Sequence, residues 1–161
     1  EAKLAGKKTL QKIIKLYQIQ TGETELDSGK IAAFALKNGV ELPVPKDPFD
    51  MLKQEINTAA REELRIDEKT GRPYRAYHKL PVKGGQSSFI FVDIEHATRP
   101  QMHRSLTMRR EQMVDDAVHL SYDMDRWNSQ HHDEEPIEIQ MDLALDVEWR
   151  KASEEEEDKA A

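Results

Sequence analysis

Acids and imidazoles carry most hydrolytic and metal chemistry, so their spacing is read first. Asp93 and Glu95 sit two residues apart at the end of the β-branched and aromatic run Ser88-Phe89-Ile90-Phe91-Val92-Asp93-Ile94. Period two places both carboxylates on one side of a strand. A metal-dependent hydrolase needs two or three acids meeting at one point, usually with a Lys. Here His96, Ala97 and Thr98 follow instead. Asp116 and Asp123 lie seven apart on a helical stretch, near its polar side. His96 and His103 flank a helix start without the i, i+4 spacing that puts two imidazoles on one face. His131-His132-Asp133-Glu134-Glu135 reads as a polar loop. Gly84-Gly85 alone makes no phosphate loop, and Ser87 and Ser88 show no nucleophile elbow. The chain has no cysteine, which removes disulfides, thiolate zinc sites and thiol nucleophiles. The expectation is a chain with no catalytic residue, no metal site and no cofactor.

The cations are more informative. The net charge of −7 argues by itself against a nucleic-acid ligand. The average conceals an asymmetry: residues 1–90 carry 16 Lys/Arg against 12 Asp/Glu, and residues 91–161 carry 8 against 19. Within the basic half, Lys69, Arg72, Arg75 and Lys79 surround Gly71, with Tyr74 and Tyr77 interleaved. Such a spread suits phosphate contacts with ring packing. Just upstream, Lys53, Gln54, Asn57 and Arg61 share the outer face of a helical segment and can meet phosphates or base edges. Lys7, Lys8 and Lys12 add charge, while Glu55, Glu62 and Glu63 oppose an approaching phosphate. The expected nucleic-acid-binding residues are Lys53, Asn57, Arg61, Lys69, Arg72, Arg75 and Lys79.

These residues need elements to hold them. Leu10, Ile13, Ile14, Leu16 and Tyr17 predict a helix over 7–20. Asp27 or Ser28 caps a second helix that Asn38-Gly39 stops. Pro43, Pro45 and Pro48 stiffen residues 40–47. Asp47-Pro48 starts a third helix running to about Leu64. A hairpin follows: Leu64-Arg65-Ile66, a turn at Asp67–Gly71, and a return arm over residues 72–80. Lys83–Ser87 is a flexible break, and a soft domain boundary falls near 82–88. The order helix, helix, helix, hairpin over residues 7–80 resembles a winged helix. That resemblance implies a third helix placed in the major groove and a wing on the backbone.

The second half is expected to be strand, long helix, strand. Thr98 and Gln101 have capping-box spacing ahead of the long helix. Leu106, Met113, Ala117, Leu120, Met124 and Trp127 form its apolar stripe. Arg99, Arg104, Arg109 and Arg110 stand at its front and Asp115, Asp116, Asp123 and Asp125 behind, an order that opposes the helix dipole. The arginines therefore point to an anion, to an acidic partner or to internal pairing. Ile137, Ile139, Met141, Leu143, Leu145, Val147 and Trp149 alternate as in a strand, which pairs with the one at 88–95. Residues 152–161 are an acidic, disordered tail.

The expected fold class is α+β: a winged-helix-like domain over 1–85, a strand–long helix–strand region over 86–151, and the tail. The expected function is a non-enzymatic DNA-binding accessory or regulatory protein that holds double-stranded DNA on its N-terminal half. The alternative is a protein-interaction or scaffold module, with a homodimer or a protein partner on the long helix. No apolar run approaches the roughly 20 residues of a membrane helix. No signal peptide is expected, and the absence of cysteine fits a reducing cytoplasm.

Overall fold

The computed structural model describes residues 6–43, 47–82 and 89–160. Helix α1 spans Lys7–Thr21 and closes on Gly22, whose φ of 70° is cheap only for glycine. Helix α2 spans Ser28–Lys37, and Asp27 caps it by accepting from the Lys30 N–H at 2.9 Å. The two helices meet through Tyr17, 5% exposed, whose ring stands edge-on to Phe34 at 5.4 Å. The Tyr17 hydroxyl donates to Glu23, which also takes Lys30, so the turn between the helices is tied to both. Helix α3 spans Pro48–Glu62, with the Phe49 N–H donating to Asp47. The chain divides into two compact units, Glu1–Ala59 and Ala60–Ala161.

Unit two is built on two antiparallel hairpins. Strand β1 (Leu64–Ile66) pairs with β2 (Pro73–Arg75), and β3 (Tyr77–Pro81) pairs with β4 (Phe89–Asp93). Pro73 opens its strand, where its missing N–H costs least. Gly71, at φ 68°, closes the β1–β2 turn by donating to Asp67 O at 2.7 Å. Ala76 is the joint between the hairpins. Its N–H donates to Glu63 O at 3.1 Å, its carbonyl accepts from Ile94 N at 2.9 Å, and it is fully buried. Only a small side chain fits where the backbone changes partner in so little space. Arg65 on β1 reinforces the joint, because both its terminal nitrogens donate to the Asp93 carboxylate on β4 at 2.9 Å.

Helix α4 spans Arg99–Gln130 and opens with the full capping box of Thr98 and Gln101. It runs against β3. The anchor is Ser105, 2% exposed, whose hydroxyl donates to Lys79 O at 3.1 Å. A small, satisfied polar residue lets the helix approach the strand backbone closely. Helix α5 spans Ala144–Ala160.

The mixed helix-and-strand class is as expected, with five helices and two hairpins among the described residues. Four expectations about its elements are corrected. The return arm over 72–80 is interrupted at Ala76, because its two halves pair with different strands. The run at 89–93 pairs with β3 and not with residues 137–149. The alternating stretch 137–149 is not a strand. Ile137 has its N–H and carbonyl taken by the Asn128 side chain at 2.9 Å each, and from Ala144 the chain is helical. A strand needs a partner for its ladder. Without one, the helix-forming content of Ala, Leu, Glu and Lys prevails, aided by Asp146 in the first turn and Lys159 in the last. The acidic residues expected to be disordered continue this helix through Ala160. The break expected at Lys83–Ser87 lies outside the described residues, as do positions 44–46 of the proline-rich linker.

Candidate nucleic-acid interface

The β3–β4 hairpin has two faces, because residues opposite one another in an antiparallel pair share a side. His78 and Leu80 face one way and are both buried at 5% exposure. Tyr77 and Lys79 face the other way, opposite Asp93 and Phe91, and this second face is half-buried except for the exposed Lys79. The face mixes rings with cations. The Arg65 guanidinium lies over the Tyr77 ring at 5.4 Å, the Lys79 ammonium over Phe89 at 4.1 Å, and Phe89 stands edge-on to Phe91 at 5.6 Å.

Beside this face, α4 completes a cleft of about 250 Å³ lined by Arg61, Arg75, Tyr77, His78, Lys79, Phe91, Ser105, Met108, Arg109 and Gln112. Four lining residues are cationic and none is acidic. Gln112 of the lining donates to Asp116 at 3.2 Å. Partial desolvation and then the charge of Arg75 push Arg109 below the usual guanidinium range. Arg75 and Arg109 thus bring two like charges to one concavity, which favours an anion there. His78 lies in the same wall with Nε2 buried and without a hydrogen-bond partner. Burial lowers its pKa, more than the bond to the Arg75 backbone raises it, so the ring sits there neutral.

The expected site residues divide. Arg61, Arg75 and Lys79 come together in the cleft. Arg72 is on the β1–β2 turn and is salt-bridged to Glu155 of α5. Lys69 is exposed on that turn. Lys53 is on α3, paired with Asp50 at 3.2 Å and lying over Phe49. Asn57 is on α3 and half-buried. Arg109, His78 and Phe91 complete the cleft and were not among the expected binding residues. The signal for Arg109 was the arginine-rich front of α4 set against its own dipole. Phe91 gave no signal beyond strand propensity.

The acids considered for hydrolysis have structural roles. Asp93 is held to about 2 by the Arg65 guanidinium. Glu95 accepts the Tyr74 hydroxyl at 2.7 Å. Among the described residues no group of three His, Cys, Asp or Glu could hold a metal ion, and no helix is long and apolar enough to cross a membrane. Comparison with protein-family models, curated proteins and solved structures finds no match.

Proposed function

We propose that this chain is a non-enzymatic nucleic-acid-binding protein of accessory or regulatory type, which holds phosphates at the cationic cleft of unit two. The observation that supports the reading is the lining itself: Arg61, Arg75, Lys79 and Arg109 around one concavity with no lining carboxylate. A cleft that gathers one sign concentrates its field on an incoming anion. The winged-helix form of the proposal, with α3 and the β1–β2 turn on duplex DNA, rests on element order. A cytoplasmic setting rests on the cysteine-free composition. The test is fluorescence anisotropy of labelled oligonucleotides, duplex and single-stranded, against the full chain over a range of salt. Binding that weakens linearly in log salt supports phosphate contact through counterion release. No binding at low salt to either form removes the function.

A second reading, a protein-interaction module, is favoured by α4. Leu106, Met113, Leu120 and Trp127 recur every seven residues and are 50%, 56%, 41% and 45% exposed. A half-exposed apolar row at this period suits a partner helix. Sedimentation equilibrium of the full chain and of Met113→Lys separates the readings: a dimer lost in the variant supports the second, and a monomer in both removes self-association from it.

A further inference from the structure

We infer that the ligand of this site is single-stranded nucleic acid, with bases stacked on Tyr77 and Phe91 and phosphates held by Arg75, Lys79 and Arg109. The inference rests on the nucleic-acid reading above and narrows it to one form of the ligand.

Three features of the site carry it. The first is shape. The cationic residues line a concave space of about 250 Å³, not a ridge. A duplex presents its bases only as edges at the bottom of grooves, which are entered by a protruding helix or ribbon. A concavity takes one nucleotide unit at a time, which a single strand can supply and a stacked duplex cannot.

The second is the lining of that concavity. Tyr77 and Phe91 stand in it alongside the cations. On a duplex-binding surface these rings would meet sugar and phosphate, and their faces would go unused. An unpaired base has a π-face for each, and stacking on aromatic side chains tolerates any base. The rings also stand at the edge of a longer row. Tyr77, Lys79, Phe89 and Phe91 share one face of the β3–β4 pair, with Arg65 over Tyr77 and Lys79 over Phe89. Pro81 and Asp93 complete that face, with the Asp93 carboxylate taking Arg65.

The third is the fate of the cations expected to serve a duplex. Arg72 is taken by Glu155 and Lys53 by Asp50. Arg75, Lys79 and Arg109 instead line the space that the rings occupy. Charge and stacking surface therefore coincide in this cleft.

The test compares a labelled thymidine oligonucleotide of about 15 nucleotides with a duplex of the same length, both against the full chain in about 50 mM salt. The expected result is single-strand binding at least about ten-fold tighter than duplex binding. Tyr77→Ala and Phe91→Ala each weaken the single strand by roughly ten-fold, within the range for loss of one stacked base. They leave the salt slope unchanged, because no cation is removed. Phe91→Leu keeps apolar bulk without a π-face and guards against a folding defect; it also weakens binding. Phe91→Trp retains binding, and its fluorescence is quenched by the single strand and not by the duplex. Equal or tighter duplex binding overturns the inference and leaves the nucleic-acid reading standing. So does wild-type affinity in the two alanine variants. Failure of both oligonucleotides to bind overturns both.

Discussion

Replacing Arg75 and Arg109 together by Gln tests the cleft most directly. Both side chains line it, and the charge of Arg75 adds to the desolvation that pushes Arg109 below the usual guanidinium range. With Lys79 they are the three of the four lining cations assigned above to phosphate. On a single strand, each phosphate-contacting cation contributes about −0.7 to the slope of log affinity against log salt, so these three predict a slope near −2.1. Raising salt from about 50 to about 200 mM should then weaken the wild-type complex roughly 20-fold. Of these three the double variant keeps Lys79, for a slope near −0.7 and a loss of only about three-fold over the same range. Anisotropy titrations at four or so salt concentrations read both slopes. The substitution relieves repulsion and removes no described ion pair, so the thermal midpoint should not fall. A well-folded variant with the wild-type slope would refute the assignment of these arginines to phosphate.

Four further outcomes follow from the fold. Ala76→Val forces two extra carbons into a fully buried joint, and overpacking of about 1–3 kcal/mol should lower the thermal midpoint by several degrees; a midpoint equal to wild type would show that the joint can open. Thr98→Ala removes the α4 cap and should cost about 0.5–2 kcal/mol in urea unfolding. Asp93 has its folded pKa depressed from 3.8 to about 2 by Arg65, so its stabilisation is present above 3.8 and lost as pH falls through that window; acid titration of Asp93→Asn should lack this part of the unfolding limb. His78 is held below its ordinary 6.5 by burial, so the unfolded chain binds the extra proton and stability declines as pH drops through that value. A urea midpoint in wild type that does not change on acidification through that range, or a decline that persists undiminished in His78→Leu, would count against a buried neutral ring.

The local signals were legible because they act over a few residues. Asp27, Asp47 and Thr98 start helices since a side-chain oxygen reaches an N–H two or three positions on. Gly22, Gly39 and Gly71 end or turn elements since they take positive φ without strain. Alternation at 137–149 misled because it records which side chains are apolar and is silent on whether a partner strand exists. The backbone demand for hydrogen bonds decided that stretch, through Asn128 and then helix α5.

For the site, the sequence by itself determined that the cations cluster in the first half and that Tyr74 and Tyr77 stand among them. It also determined that thiol chemistry is absent. Only the tertiary structure decided which cations act together. Arg61, Arg75 and Arg109 lie on three elements and meet because Ala76 turns the chain from one hairpin into the next and Ser105 seats α4 on β3. The same packing gives Arg72 to Glu155, 83 residues further along the chain. Spacing along a chain predicts neighbours on one helix or strand. Electrostatic fields and cavities depend on distances through space, and those are set when the elements pack.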